Sequence, residues 1–297
     1  MQKQLFNTCI FIFSLCAWTY SYQAHAQVHR KKSAHASGLP TNNFEKTQFY
    51  IGIRGGLNLT KVRIINSYSS FVSPTDPAED YKKTYTDYTT PAGSFGLEFS
   101  FSYQKFTASF QPNYRRQTYS YSNTYEWHDA NNVQNYLQLT YNQKTQLDYI
   151  EFPLFIRYDI ISGAFKPFVQ AGFYYAILNS ATKQLNIEGV DHSGGTSRSF
   201  TEPVTIIGAD DLFINSSIGA ALGLGTSYKV GNIRLILDAT YRMGLNNISN
   251  VQNRYISNSL SGAGDVSDDL KLNNITFSFG CLFPMKFLIS PSHKAVD

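Results

Sequence analysis

From Phe49 onward the chain alternates apolar with small or polar residues at a period of two, and no window carries the 3.6-residue repeat of a helix. In "QFYIGIRGGLNLTKV", Phe49, Ile51, Ile53, Leu57 and Leu59 share one face, while Gly52, Arg54, Gly56 and Asn58 share the other. "SFGLEFSFSY" sets Phe95, Leu97, Phe99, Phe101 and Tyr103 against Gly96, Glu98, Ser100 and Ser102. "NITFSFGCLF" repeats this with Ile275, Phe277, Phe279, Cys281 and Phe283 against Thr276, Ser278 and Gly280. The pattern predicts strands over about 48–62, 92–104, 105–118, 146–160, 165–178, 212–228, 232–245 and 272–287.

Alternation suits a soluble sandwich as well as a barrel, so the connections must separate the two. The links at 63–91, 119–145, 179–211 and 246–271 are long, whereas those around Gln104, at 162–164 and at 229–232 are short. Long and short alternate throughout. This asymmetry predicts an all-β fold: an eight-stranded antiparallel transmembrane up-and-down β-barrel with long extracellular loops and short periplasmic turns. An even strand number returns both ends of the barrel to the side of the short turns.

Two residue sets follow from that register. Near each short turn or chain end the apolar face carries Phe49, Tyr103, Phe106, Tyr158, Phe165, Tyr228 and Phe283, the expected aromatic girdle at the periplasmic membrane boundary. The opposite faces carry Arg54, Glu98, Arg115, Glu151, Arg157, Asp159, Arg234, Asp238 and Arg242, five bases against four acids. Charges in a narrow lumen are costly unless paired, and eight strands enclose a space that side chains can fill. A closed, bonded polar lumen is expected, not an open pore.

The glycines of the first strand invite a nucleotide-loop reading. A phosphate loop needs its last Gly followed at once by Lys-Ser or Lys-Thr at a helix start. Here Lys61 lies well beyond Gly56, after Thr60, inside a strand. That reading fails, and Gly52 and Gly56 are expected to give Arg54 room on the lumen side.

The N-terminus supplies the compartment. Lys3 precedes an apolar run, "IFIFSLCAW", and "AHAQ" offers small residues before a cleavage site after Ala26. This is the layout of a secretory signal peptide, too short to span as a helix. The expected division is a signal peptide at 1–26, a flexible periplasmic leader at 27–47, the barrel at 48–287 and a C-terminal tail at 288–297. Only Cys281 remains after cleavage, so no internal disulfide is available; its place among apolar alternates reads as a small hydrophobe.

Composition agrees with a membrane surface. Charged residues make up 15%, below the usual ~25%. Aromatics also reach 15%, with 22 Phe and 21 Tyr. The net charge of +4 and the absence of a basic stripe argue against nucleic acid as a partner.

Chemistry is sparse. Glu126, His128 and Asp129 sit in the second long link, and Asp191, His192, Asp210 and Asp211 in the third. A His beside a carboxylate can activate water, which makes a surface hydrolase acting on lipid or peptide one alternative. Adjacent residues on a strand point apart, however, and solvated loop tips are the expectation: no enzyme and no catalytic residue. "GDVSDD" at 264–269 groups three aspartates but lacks the spacing and terminal Glu of a calcium loop. It reads as a solvated loop, so no metal and no cofactor are expected.

"YRRQTYSYSNTYEW" and "NYLQLTYNQKTQLDY" alternate well beyond the ~9–11 residues a membrane strand needs. The 119–145 link should therefore project as a Tyr-rich, two-stranded ribbon whose edges offer a protein partner a strand to pair with.

The chain resembles the PorT-like small outer-membrane β-barrel proteins in "YIGIRGGLNLTKV", "LDYIEFPLFIRYDI" at 147–160, "FKPFVQAGFYYAI" at 165–177 and "ITFSFGCLFP". The second segment is the most specific, with Glu151 just before the Phe152-Pro153-Leu154 step and Arg157 beyond it. The resemblance covers about 48–287 and implies fold and location more than activity. Some such proteins assist protein export across the outer membrane. One departure is that "LISPSHKAVD" continues past Phe287, so recognition by the outer-membrane assembly machinery would use an internal strand. The expected partners are outer-membrane lipid, that machinery and a protein at the 119–145 hairpin. The expected protein is a monomer with a structural, adhesive or assembly and export-accessory role; a narrow solute channel is the other alternative.

Overall fold

The computed structural model describes residues 47–69, 83–255 and 265–285. The expected signal peptide, all of the leader but Thr47, and the C-terminal tail lie outside them. The described residues form twelve strands and three short 3-10 turns. The strands are β1 (Thr47–Asn66), β2 (Thr84–Thr86), β3 (Ala92–Tyr103), β4 (Phe106–Phe110), β5 (Asn113–His128) and β6 (Tyr136–Asp159). They continue as β7 (Phe165–Asp191), β8 (Arg198–Thr201), β9 (Thr205–Gly208), β10 (Ser216–Val230), β11 (Ile233–Gly244) and β12 (Asp269–Pro284).

Every pairing is antiparallel, and the ladder closes on itself. β1 pairs with β3 and β12, β3 with β4 and β5, and both of these with β6. The ring continues through β7, β10 and β11 back to β12. The count is twelve because β2, β8 and β9 are short strands from the long links, and because one stave is split into β4 and β5. Pro112 causes the split, since it has no N–H to give the ladder. The neighbours bridge the gap: Leu97 N–H donates to the Pro112 carbonyl at 2.9 Å, and Gln111 N–H to the Pro153 carbonyl at 3.0 Å. The closed path therefore has eight positions, and no sheet edge faces lipid along it.

The short turns are at 104–105, 160–164 and 231–232. Gln104 and Gly231 adopt left-handed φ values of 55° and 59°, which lets two residues reverse a twisted hairpin. The register puts the expected apolar set outside. Phe173 is 71% exposed, and Leu222 and Leu224 are each 65% exposed. A surface this apolar is a lipid-facing one in a closed barrel. Cys281 lies half-buried on the same outer face, opposite Ile53 and Leu235.

The largest departure from the sequence reading is at β7. β7 continues to Asp191, where a loop was expected from 179, and pairs with β6 as far as Leu137. The second link is accordingly not a two-stranded ribbon. It belongs to a projecting sheet in which β6 is central, β2 covers part of β5, and β8 and β9 cover parts of β7.

Candidate functional site

The lumen is a stack of layers fixed by the two-residue period. Nearest the short turns, Tyr50, Phe168, Ile236 and Leu282 form an apolar layer. Two steps inward along β1, past Gly52, stands Arg54, held between β3 and β12. Its guanidinium binds Glu98 at 2.6 Å, Asp238, and the Ser278 hydroxyl at 2.7 Å. Glu98 also pairs with Arg157 at 3.4 Å, whose guanidinium lies 4.3 Å from the Phe168 ring centre. Asp238 accepts further bonds from Gln170 and Ser278. Room for Arg54 comes from Gly280, its partner on β12: a Cβ there would stand 3.2 Å from the Arg54 side chain. The expectation that Gly52 gives this room is corrected, because Leu282 fills the space beside Gly52.

The next layer joins Arg115 and Arg242 through one carboxylate oxygen of Glu151, at 2.7 Å each. Arg115 also donates to the Thr276 hydroxyl at 2.9 Å. Of the nine charges assigned to the lumen, eight are buried. The structure brings seven of them together in these two layers. Asp159 and Arg234 stand apart at the periplasmic mouth, the first near Lys166 at 3.5 Å and the second 4.4 Å over the Tyr50 ring. The seven girdle aromatics are all exposed, between 38% (Tyr158) and 57% (Phe49), at the short-turn end of the ring.

Above the second ionic layer an apolar plug fills the barrel. Val62, Tyr119, Leu147, Tyr149, Tyr174 and Leu272 come from the staves, and Leu212, Phe213 and Ile248 fold in from the links. Over it lies a cluster that the sequence reading missed. Lys183 binds Asp265 at 2.8 Å, Lys83 binds Asp268 at 3.0 Å, and Arg254 binds Asp269. Tyr121 and Tyr85 donate to Asp265 and Asp268 respectively. The reading of 264–269 as a solvated loop is thus corrected: the side chains of Asp265, Asp268 and Asp269 are buried, each with its own base, because Lys83 from the first link, Lys183 from β7 and Arg254 from the last link converge on them. Burial alone would raise the Asp265 carboxyl, but Lys183 and Lys83 hold it below its usual range.

Among the described residues the lumen keeps little free volume. One cavity of about 30 Å³ touches Arg54, Arg115 and Arg242, and another of about 10 Å³ touches Gln117, Tyr149 and Tyr174. The larger has room for no more than a water or two. Larger recesses lie outside the stack, at the periplasmic mouth (about 180 Å³, by Lys229 and Arg234) and on the projecting sheet (about 290 Å³).

The loop chemistry is divided. At the tip of the sheet His128 binds Glu126 at 2.9 Å, and the ring of His192 stacks on Tyr136 at 4.3 Å. Asp129 and Asp191 bind neighbouring backbone N–H groups of their own turns. Asp210 instead receives the Ala181 N–H at the base of the sheet, and the Asp211 carbonyl accepts from Asn250 and Asn253. Ala181 and Asp191 are ten residues apart on one strand, about 33 Å. The acidic pair cannot reach either histidine. Among the described residues no group of three or more His, Cys, Asp or Glu is placed to hold a metal ion.

These features define an integral β-barrel of the outer membrane: a closed antiparallel ring, apolar outside, charged inside, with long links at one end. The family model described as an outer membrane protein beta-barrel domain matches residues 26–250, more than half of the chain. The chain belongs to that family. Its fold and family place it in the outer membrane. A comparison with curated proteins gives no match. Solved structures similar to it include Neisserial surface protein A (12% identity, 78% of this chain and 95% of that one, TM-score 0.31). Another is Ail, the attachment invasion locus protein of Yersinia pestis (10% identity, 80% and 99%, TM-score 0.30). A third is the outer membrane protein AlkL in DMPC lipid bilayers (9% identity, 91% and 100%, TM-score 0.32).

Proposed function

We propose that this chain is a non-conducting, non-enzymatic barrel that anchors a rigid projecting sheet at the cell surface, in a structural, adhesive or export-accessory role. The observation that carries this is the lumen, where two ionic layers lie between two apolar ones and the cavity among the described residues at the ionic layers, about 30 Å³, is too small for a solute. Opening such a stack means separating buried ion pairs, each of which leaves an uncompensated charge. Ring closure leaves no strand edge in the membrane and so supports a monomer. The resemblance to PorT-like proteins favours the export-accessory role.

The projecting sheet is the part that meets other molecules. Its outer side carries a recess of about 290 Å³ lined by Ser120, Ser122, Asn142, Lys144, Gln184 and Asn186, among others. Crosslinking from the 119–145 segment in intact cells identifies what it meets.

Reconstitution in planar bilayers tests the closed lumen. The expected result is no steady conductance, and stepwise openings that scale with protein amount would replace this reading with a narrow channel. For the hydrolase alternative, His128→Ala and His192→Ala should leave any envelope-substrate activity of the preparation unchanged. N-terminal sequencing of the mature protein checks cleavage after Ala26.

A further inference from the structure

On the outer face of β1 the apolar series Phe49, Ile51, Ile53, Leu57, Leu59 gives way to Lys61 and Arg63. On β12 the series Phe283, Phe279, Phe277, Ile275 gives way to Asn273 and Lys271. The ten residue steps from Phe49 to Leu59 span about 33 Å of strand, or roughly 23 Å of height at the usual tilt, close to the ~25 Å apolar band of such barrels. Lys61, Arg63 and Lys271 therefore stand where hydrocarbon ends and the headgroups of the outer leaflet begin.

Arg63 and Lys271 are direct cross-strand partners. Like charges so placed repel, and neither has an ion-pair partner among the described residues. Their neighbours differ: Lys61 binds Asp87 at 2.5 Å, and Arg116, two staves away, binds Asp148 at 2.8 Å. The phenols of Tyr88 and Tyr241 lie near Lys61. On the far side of the barrel the corresponding outward positions are Tyr175 and Ile177 on β7 and Ser216 and Ile218 on β10, without a charge. Among the described residues, this surplus of positive charge lies on the β1–β12 side and not on the β7–β10 side.

We infer that this sector, centred on Arg63 and Lys271, binds a phosphate-bearing headgroup of an outer-leaflet lipid. A phosphate monoester takes the forked N–H groups of an arginine and the point charge of a lysine together, which removes the repulsion between them. The flanking phenols suit the boundary between acyl chain and headgroup. The inference rests on the outer-membrane location and is independent of whether the lumen conducts.

The full chain in nanodiscs of zwitterionic lipid, doped with bisphosphorylated lipid A or with the same lipid after dephosphorylation, provides the test. Lipid retained per barrel is counted after extraction or by native mass spectrometry. Two surface cations predict a preference for the phosphorylated form of roughly thirtyfold, lost in the Arg63→Gln, Lys271→Gln double variant and kept in Arg198→Gln, at the far end of the projecting sheet. Equal retention of the two lipids, or a double variant that keeps the preference, would overturn the inference. So would displacement by inorganic phosphate at the concentration of the lipid, which would mark a site for free anion. Should the double variant not fold, the unaltered protein decides: retention must fall steeply between 0.05 and 0.5 M salt, roughly as expected for exposed ion pairs, and a flat response rejects the inference.

Discussion

At the residue scale the lumen charges matter through what each would leave behind. Glu98 is fully buried and serves both Arg54 and Arg157. Glu98→Ala leaves the buried Arg157 guanidinium without its carboxylate, while Arg54 keeps Asp238, and the expected loss is about 3–5 kcal/mol, read by urea unfolding of the barrel in lipid vesicles. Lys61→Ala removes only an exposed, solvent-screened pair with Asp87, and the same unfolding measurement should barely move. A pH effect belongs to Asp265, whose carboxyl is held below its ordinary 3.8 once Lys183 and Lys83 outweigh burial. A depressed acid stabilises the closed cluster fully above that ordinary value and loses the contribution as pH falls through the lower folded one. Proteolysis of the 265–269 segment should therefore accelerate only below about pH 4, and Asp265→Asn should be cleaved at the fast rate already at pH 7. The lumen residues were legible because parity is fixed along a regular strand, and Arg54, Glu98, Glu151 and Asp238 keep it. Lys183 was not. β7 slips one residue against β6 between Leu178 and Ser180, beside Asp148 and Tyr149, so its buried set changes from even numbers (Phe168, Gln170, Tyr174) to odd ones (Ala181, Lys183, Leu185). A bulge has no signature in alternation alone.

At the scale of elements, β5, β6 and β7 each serve two environments. Below Arg116 and Asp148 their outward side chains are apolar, as at Tyr114, Ile150 and Ile177; above, the same side carries Ser120, Asn142 and Gln184. The ends of the apolar face were readable from that change, and so were the β5 and β6 extensions, from their unbroken period. The β7 extension was hidden by the bulge, and β2, β8 and β9 are too short to show a period. The upper sheet has its own small core, Tyr125, Tyr141 and Leu185, separate from the layers in the ring. Removing 123–141 and closing Ser122 to Asn142 with an Asn-Gly turn should therefore leave the ring folded, with an unchanged far-UV strand signal and intact insertion. Any partner captured by the projecting sheet should be lost at the same time. A truncated chain that fails to insert would show the sheet to be part of the barrel's stability.

At the scale of the whole molecule, closure between the first and last long strands holds the rest in place. β1 and β12 stay in register from Tyr50 opposite Pro284 to Ile64 opposite Leu270, and this seam completes the hydrogen bonding of both strands. In hydrocarbon an unpaired backbone group costs several kcal/mol, so a barrel with an opened seam has no stable intermediate to rest in. Its unfolding should therefore be slow until heat forces it, and the unheated protein should migrate on detergent gels apart from the boiled one. A proline placed in the seam tests this directly. Phe279 pairs with Gly55 on one side and Leu237 on the other, so Phe279→Pro removes a ladder N–H in mid-membrane without touching a lumen charge. Thr124→Pro makes the same backbone change on the projecting sheet, where water can satisfy the freed carbonyl. The first variant should lose the unheated band, and the second should keep it. If both keep it, the seam is not what closes the molecule; if both lose it, the sheet outside the membrane and the ring within it fold as one cooperative unit.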